Sequence, residues 1–455
     1  MNYLTRIISA TFALLSFVIF SSCSDSNDDF SEVAQTKGLT IRALANGDSR
    51  TSFDGNEKIT SWTENDNLKI CITGGGLNVT KDFSITNPST GEFYNKDVTL
   101  INNQKYNFYA IYGASEVNSN IATIQIGSEE QVQEGASTAH IAALDPLYGR
   151  CENVAPDAVS IPMSHTAVVF KLNIKNATGS SLNISRVEVA APEGVVLSGF
   201  HTIDMKTGAI TQSGLKTNKV ELSLNEYSSV ASGEAVTAWI ATAPFAIGQE
   251  DQLVFSIYAA PADNDNVGYR YDIVKSFLGG KQFQASKIME TTMSLAENAY
   301  SSTIAKFDFK VSGALHSIDE NSLTCGVESF KLEISSLSGC SYDVSNGCLK
   351  FNKFDSPNYA SIKLPRIAGY KITQIVLYNA KESYNSKVCL SYMNNETLKE
   401  YDVKKLLTQA GQKEFTSENL KSVITDDSQY YLKFTADDRS IYINSLEITY
   451  TRIGL

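Results

Sequence analysis

"VVFKLNIK", Val168–Lys175, carries the reading that decides the fold. Val168, Phe170, Leu172 and Ile174 alternate with Val169, Lys171, Asn173 and Lys175, and a period of two predicts a strand with one buried face. The same rule holds at Leu68, Ile70 and Ile72, and again at Leu253, Phe255 and Ile257. Between such runs lie turn-rich clusters, Asn87-Pro88-Ser89-Thr90-Gly91 and Pro261-Ala262-Asp263-Asn264-Asp265-Asn266 among them. Short strands separated by turns, without intervening helical patterns, predict an all-β chain of antiparallel sandwiches. One stretch, Thr397–Ala410, reads as a helix through Leu398, Val403, Leu406 and Leu407.

The first 20 residues carry one base, Arg6, then an uncharged apolar run from Ile7 to Phe20 that closes on Ser21 and Ser22. This is the pattern of a secretory signal, and the run falls short of the roughly 18 residues a membrane-spanning helix needs. Cys23 follows directly, and the arrangement resembles the lipobox of bacterial lipoproteins. That resemblance implies lipidation of Cys23 and anchoring in the outer membrane, each buried methylene contributing about 0.8 kcal/mol. The alternative is a plain secretory signal with an incidental cysteine. Ser24-Asp25-Ser26-Asn27-Asp28-Asp29 buries nothing and reads as a solvated tether. It is similar to the surface-export signal of Bacteroidetes lipoproteins.

The formal charge is −12, and removal of residues 1–22 takes away Arg6 and no acid, giving −13. That balance argues against nucleic acid as a partner. About 430 residues remain after the signal, enough for three domains at roughly 150 each. Beyond Cys23 there are Cys71, Cys151, Cys325, Cys340, Cys348 and Cys389, without a paired-cysteine motif; a single bridge in the last third stays open, Cys340 and Cys348 being closest. Composition breaks at "GRCENVAPDA", Gly149–Ala158, and at "SLAENAYSST", Ser294–Thr303. The expected organisation is signal 1–22, tether 23–35, sandwiches 36–155 and 156–295, and a last module 305–455.

No catalytic or metal set is found. His140, His165, His201 and His316 are scattered without metal spacing, and no nucleophile-elbow or paired-cysteine motif is present. No cofactor is implied. His165 reads as a structural histidine, Trp62 as a core plug, and "TGGGL", Thr73–Leu77, as a turn rather than a phosphate loop. "DNDNVG", Asp263–Gly268, lacks the closing acid of a calcium loop and reads as a hairpin turn.

Several stretches, in order, resemble the fimbrillin family. They are "RTSFDGNEKITSWTENDNLKI" (Arg50–Ile70), "YNFYAIYG" (Tyr106–Gly113), "ALDPLYG" (Ala143–Gly149), "MSHTAVVFKLNI" (Met163–Ile174) and "FQASK" (Phe283–Lys287), the last with Ser286 at the family's glycine. The resemblance covers about residues 39–295. It implies tandem transthyretin-like β-sandwiches, cleavage after an arginine near the start of the first, loss of a first strand, and its replacement by a segment of another fimbrial subunit through β-strand addition. Here the removable segment is "GLTIRALANGDSR", Gly38–Arg50, with Leu39, Ile41 and Ala43 facing inward. Arg50 is the scissile candidate and Arg42, mid-strand, the poorer one. The alternative is that this strand stays as a sandwich edge.

The last third departs from that family and looks like the jelly-roll β-sandwich modules of Bacteroidetes surface proteins, many of which bind glycans. Tyr359 beside Asn358, and Tyr384 beside Asn385, are the aromatic and amide pairs suited to stack on a sugar and hydrogen-bond its hydroxyls. Two functions follow as expectations: a fimbrial component at a tip or as an adhesin, and a non-polymerising surface lipoprotein binding glycan.

Overall fold

The computed structural model describes residues 35–45, 62–225, 229–263, 267–296, 299–309, 315–318, 323–325, 332–335, 340–343, 346–351, 359–383, 386–394, 397–435 and 440–454. Cys23, Arg50, Asn358, Tyr384 and Asn385 lie outside them. The chain is nearly all β. It opens with β1 (Gln35–Ala45), β2 (Asn67–Gly74), β3 (Leu77–Asn87), β4 (Glu92–Ile101) and β5 (Tyr106–Tyr112). Then come β6 (Ala114–Asn118), β7 (Ile121–Ile126), β8 (Glu130–Glu134), the short helix α1 (Ala139–Leu144), β9 (Leu147–Val154) and β10 (Ser160–His165).

The first sheet closes on itself in the order β1-β10-β9-β5-β2-β3-β4. β5 is central, between β2 and β9, which explains why its residues are aromatic or apolar on both faces. Tyr106 and Phe108 point into the barrel core, while Tyr109 and Ile111 face a second apolar layer with Ile124, Ile203 and Trp239. β10 belongs to this barrel, antiparallel to β9 and parallel to β1. The break expected at 155/156 therefore falls inside the barrel, because Val159, Ile161 and Met163 fill its core.

The second unit uses β11 (Val168–Ala177), β12 (Leu182–Ala190), β13 (Ser198–Asp204), β14 (Ala209–Thr217), β15 (Lys219–Asn225), β16 (Ala235–Thr242), β17 (Phe245–Ile247), β18 (Gln252–Pro261), β19 (Val267–Ser276), β20 (Lys281–Phe283) and β21 (Lys287–Ala296). Phe170, Leu172 and Ile174 pack against Val187, Phe255 and Ile257 of the opposing sheet. Val169, on the other face, is also buried, in the layer shared with the barrel. Among the described residues three pairings are parallel, β1 with β10, β8 with β15 and β11 with β21, where antiparallel sheets were expected throughout. Each joins segments distant in sequence, so no hairpin dictates their direction.

A strand spanning Ser302–Asp308, β22, pairs with β19 on one side and with the strand Ile441–Arg452 on the other. One sheet thus runs from the second unit into the C-terminal sandwich, and the expected module start at 305 falls within β22. That sandwich faces its half of the shared sheet with a five-stranded sheet containing Ala360–Lys363, Tyr430–Thr435, Lys387–Asn394 and Thr397–Leu406. Thr397–Leu406 is a strand paired with Lys387–Asn394, not a helix. Its Leu398, Tyr401 and Val403 gain more from cross-strand packing than the isolated helical spacing offered. Cys348 is a free thiol, and the hairpin register pairs it with Asp343 while Cys340 lies opposite Phe351.

Candidate functional site

β1 reads GLTIRALA from Gly38 to Ala45, and its alternation places Leu39, Ile41 and Ala43 inward, each 1% exposed. They pack with Trp62, Phe93, Phe108, Ile161 and Met163. Along β4 the strand is antiparallel, with Ile41 opposite Phe93 and Arg42 opposite Glu92, and its partners extend from Gln35 to Arg42. Along β10 it is parallel and matched only from Arg42 to Ala45. β4 therefore holds its first half and β10 its second.

Two further contacts fix its end. Ala43 N donates to Gly91 O at 2.9 Å, and Trp62 Nε1 donates to Ala43 O at 3.1 Å. Gly91 has φ +65°, and a Cβ there would strike Ala43 O, so this turn requires glycine. Trp62 is placed by the turn that follows it. Asp66 accepts from Thr63 N at 2.6 Å and from the Tyr112 hydroxyl at 2.9 Å, and the indole stands edge-on to Phe93 at 4.9 Å. The expected plug is thus also a hydrogen-bond donor to β1. Trp62→Phe should cost about 1–3 kcal/mol, because Ala43 O loses its buried donor while most ring contacts persist. Chemical denaturation measures it.

On the solvent face, Arg42 Nη2 meets Glu92 Oε1 at 2.8 Å, but Arg42 is exposed and Glu92 only half-buried, so the pair contributes little. What the site can do follows from these facts. Loss of β1 would bare the donors and acceptors of β4 beside an apolar slot with pockets for alternate side chains, the geometry that takes up an extended peptide.

Burial, then the hydrogen bond to Asp66, pushes the Tyr112 phenol up to about 12. Burial, then the bond to Glu152, does the same at Tyr109. The neutral phenol is favoured in the folded state, so this stabilisation is complete below the ordinary value of 10.0 and is lost as pH rises toward about 12. Melting temperature should fall across that window, and Tyr112→Phe should flatten the fall.

His140, His165 and His201 each bond a different partner. His165 Nδ1 donates to Asp145 Oδ2 at 2.7 Å, His140 Nε2 lies 2.9 Å from Trp239 O, and His201 Nδ1 lies 3.0 Å from Gly199 O. Burial lowers the affinity of His140 and His201 for a proton. Among the described residues no cluster of His, Cys, Asp and Glu could hold a metal ion. Gly74, Gly75 and Gly76 all have positive φ in the turn between β2 and β3. Ser286 has φ +63°, which explains why glycine suits that position in the family it resembles; here its Oγ donates to His165 O at 3.0 Å. Tyr359 is half-buried, with Lys433 Nζ 4.2 Å from its ring centroid, so one ring face is already covered.

Sequence reasoning missed Gln131 and Gln133. These buried amides bond the backbone of β16 as a strand would: Gln131 receives from Ala241 N and donates to Ala241 O, and Gln133 receives from Trp239 N and donates to Thr237 O. Their signal was an inverted alternation in "EQVQE", with Val132 exposed between them.

No functionally curated protein matches the chain significantly. Among solved structures it is similar to a candidate cell adhesion protein of Bacteroides uniformis, at 13% identity over 58% of this chain and 94% of that one, with a TM-score of 0.39. A second, from Bacteroides ovatus, shows 15% identity over 58% and 94%, with a TM-score of 0.40. The tip fimbrial protein Mfa3 of Porphyromonas gingivalis, truncated at its C-terminus, shows 9% identity over 58% and 96%, with a TM-score of 0.33. The family model described as fimbrillin-like matches residues 31–312, more than half of the 455, and the chain belongs to that fimbrillin-like family.

Proposed function

We propose that this protein is a cell-surface fimbrial component, exported to the outer membrane as a lipoprotein through Cys23, whose barrel then receives a strand from another subunit once β1 has left. Cleavage after Arg50 separates the segment that carries lipidated Cys23 and β1, Gly38–Arg50 included, from the barrel, and an extended segment of the next subunit refills the positions of Leu39, Ile41 and Ala43. The observation that carries this reading is the burial of those three side chains, each 1% exposed, in a slot flanked by β4 and β10. A tip or accessory position is supported by the strand Ile441–Arg452, which is paired on both sides within the molecule. The glycan reading rests on Asn358, Tyr359, Tyr384 and Asn385, of which Tyr359 alone is described, with one face taken by Lys433.

Digestion of the folded protein with an arginine-specific protease, followed by N-terminal sequencing and incubation with labelled GLTIRALA peptide, tests the proposal. The cut protein should capture the peptide, while Arg50→Ala protein should not. Cleavage after Arg50 with no capture would sink it. A glycan array serves the alternative and should use the full chain, because a fragment beginning at 305 lacks the start of β22.

A further inference from the structure

The second sandwich holds a cleft of about 200 Å³ that strand exchange does not use. Its floor is aromatic: Phe170 lies 5.8 Å from Phe255 and 5.7 Å from Phe283, centroid to centroid. Phe277 forms the rim, edge-on to Phe283 at 5.6 Å. A void with such walls offers dispersion contacts to one ring or a hydrocarbon chain.

Its polar groups are unusual for a sandwich interior. In the pairing of β18 with β19, Phe255 lies opposite Ile273 and Leu253 opposite Lys275. Leu253 and Phe255 are fully buried, so Lys275 occupies an inward-facing position and lines the cleft. Thr291 does the same from β21, opposite Leu172. Lys281 Nζ stands 5.1 Å from the Phe277 ring and 5.3 Å from Phe283, held over the mouth by the ring faces. Glu290, also at the cleft, is matched by Lys171 at 3.3 Å. Among the described residues no carboxylate lies in ion-pair range of Lys275 or Lys281, which leaves the cleft with a positive balance. Both lysines are half-exposed, so their ammonium groups stand at the mouth where an anion can reach them.

We propose that this cleft binds a small carboxylic acid with an aromatic ring or medium-length hydrocarbon body. The body rests on Phe170, Phe255 and Phe283, the carboxylate meets Lys275 and Lys281, and the Thr291 hydroxyl donates to it. This site is separate from the β1 slot and stands or falls independently of it.

Calorimetric titration of the full protein with octanoate, phenylpropanoate, octanol and octylamine tests it. Both acids should bind and octylamine should not. Lys275→Met keeps the side-chain stem and removes the charge; it should raise the Kd for octanoate about tenfold and leave octanol unchanged. Lys281→Met should act in the same direction, and unaltered melting curves show that both variants fold. The assignment is overturned by absence of octanoate binding, by octylamine binding as well as octanoate, or by octanoate affinity that neither lysine substitution alters.

Discussion

Ile41→Asp is expected to eject β1 from the barrel. Ile41 is 1% exposed and lies opposite Phe93, among Trp62, Phe108 and Ile161. Among the described residues the slot offers a carboxylate no cation, and desolvating it costs at least about 4 kcal/mol, roughly a thousandfold in the ratio of seated to released strand. Release is the cheaper response because only β1 must move. β4 remains paired with β3, and β10 with β9. Amide hydrogen exchange should therefore accelerate along Leu39–Ala43 while the other barrel strands stay protected, and labelled GLTIRALA should bind without proteolysis. Thr40→Asp, on the exposed face, should leave the strand seated and serves as the control. Unchanged exchange in Ile41→Asp would show that burial of this side chain is not what retains the strand.

Asp145→Ala should destabilise the protein by about 2–5 kcal/mol, because buried donors left without an acceptor cost roughly 1–3 kcal/mol each. Asp145 is 1% exposed and serves three donors: His165 Nδ1 at 2.7 Å, Thr166 N at 3.1 Å and Ala167 N at 2.8 Å. Those residues join β10, the last strand of the barrel, to β11, the first of the second sandwich. Without the carboxylate His165 Nδ1 and Ala167 N are buried and unmatched, while Thr166 N keeps its second acceptor, Pro146 O at 3.0 Å. His165 cannot compensate through its other nitrogen, since Nε2 has no partner among the described atoms. The variant should also separate barrel and sandwich unfolding into two transitions in denaturant, and Asp145→Asn, which keeps one acceptor, should be milder. A loss below about 1 kcal/mol would mean that the junction is fixed by apolar packing alone.

The burial of β1 was legible because Leu39, Ile41 and Ala43 alternate with polar or solvent-facing residues, and period two maps directly onto the two faces of a strand. Trp62 as a plug was legible in kind but not in role. Its bond to Ala43 O depends on the turn tied by Asp66, which no local pattern announces. His165 was recognisable as structural, while its partner Asp145, twenty positions earlier, was not. Thr397–Ala410 misled because the spacing of Leu398, Val403, Leu406 and Leu407 reads as a helical face, and the pairing of Thr397–Leu406 with Lys387–Asn394 settled it as a strand.

The sequence by itself determined that the chain is built of strands, which side chains of strands such as β1, β2 and β11 enter a core, and that its first two thirds resemble fimbrillins. Those properties are written within a few neighbouring residues, where alternation and turn chemistry act. Only the tertiary structure decided that β1 closes a barrel between a parallel and an antiparallel neighbour, and that β22 carries one sheet from the second sandwich into the C-terminal one. It alone brought Lys275 to an aromatic cleft. Pairing direction and sheet order are set by contacts between segments far apart in the chain, and local periodicity holds no information about which distant strand will supply the other half of a hydrogen-bond ladder.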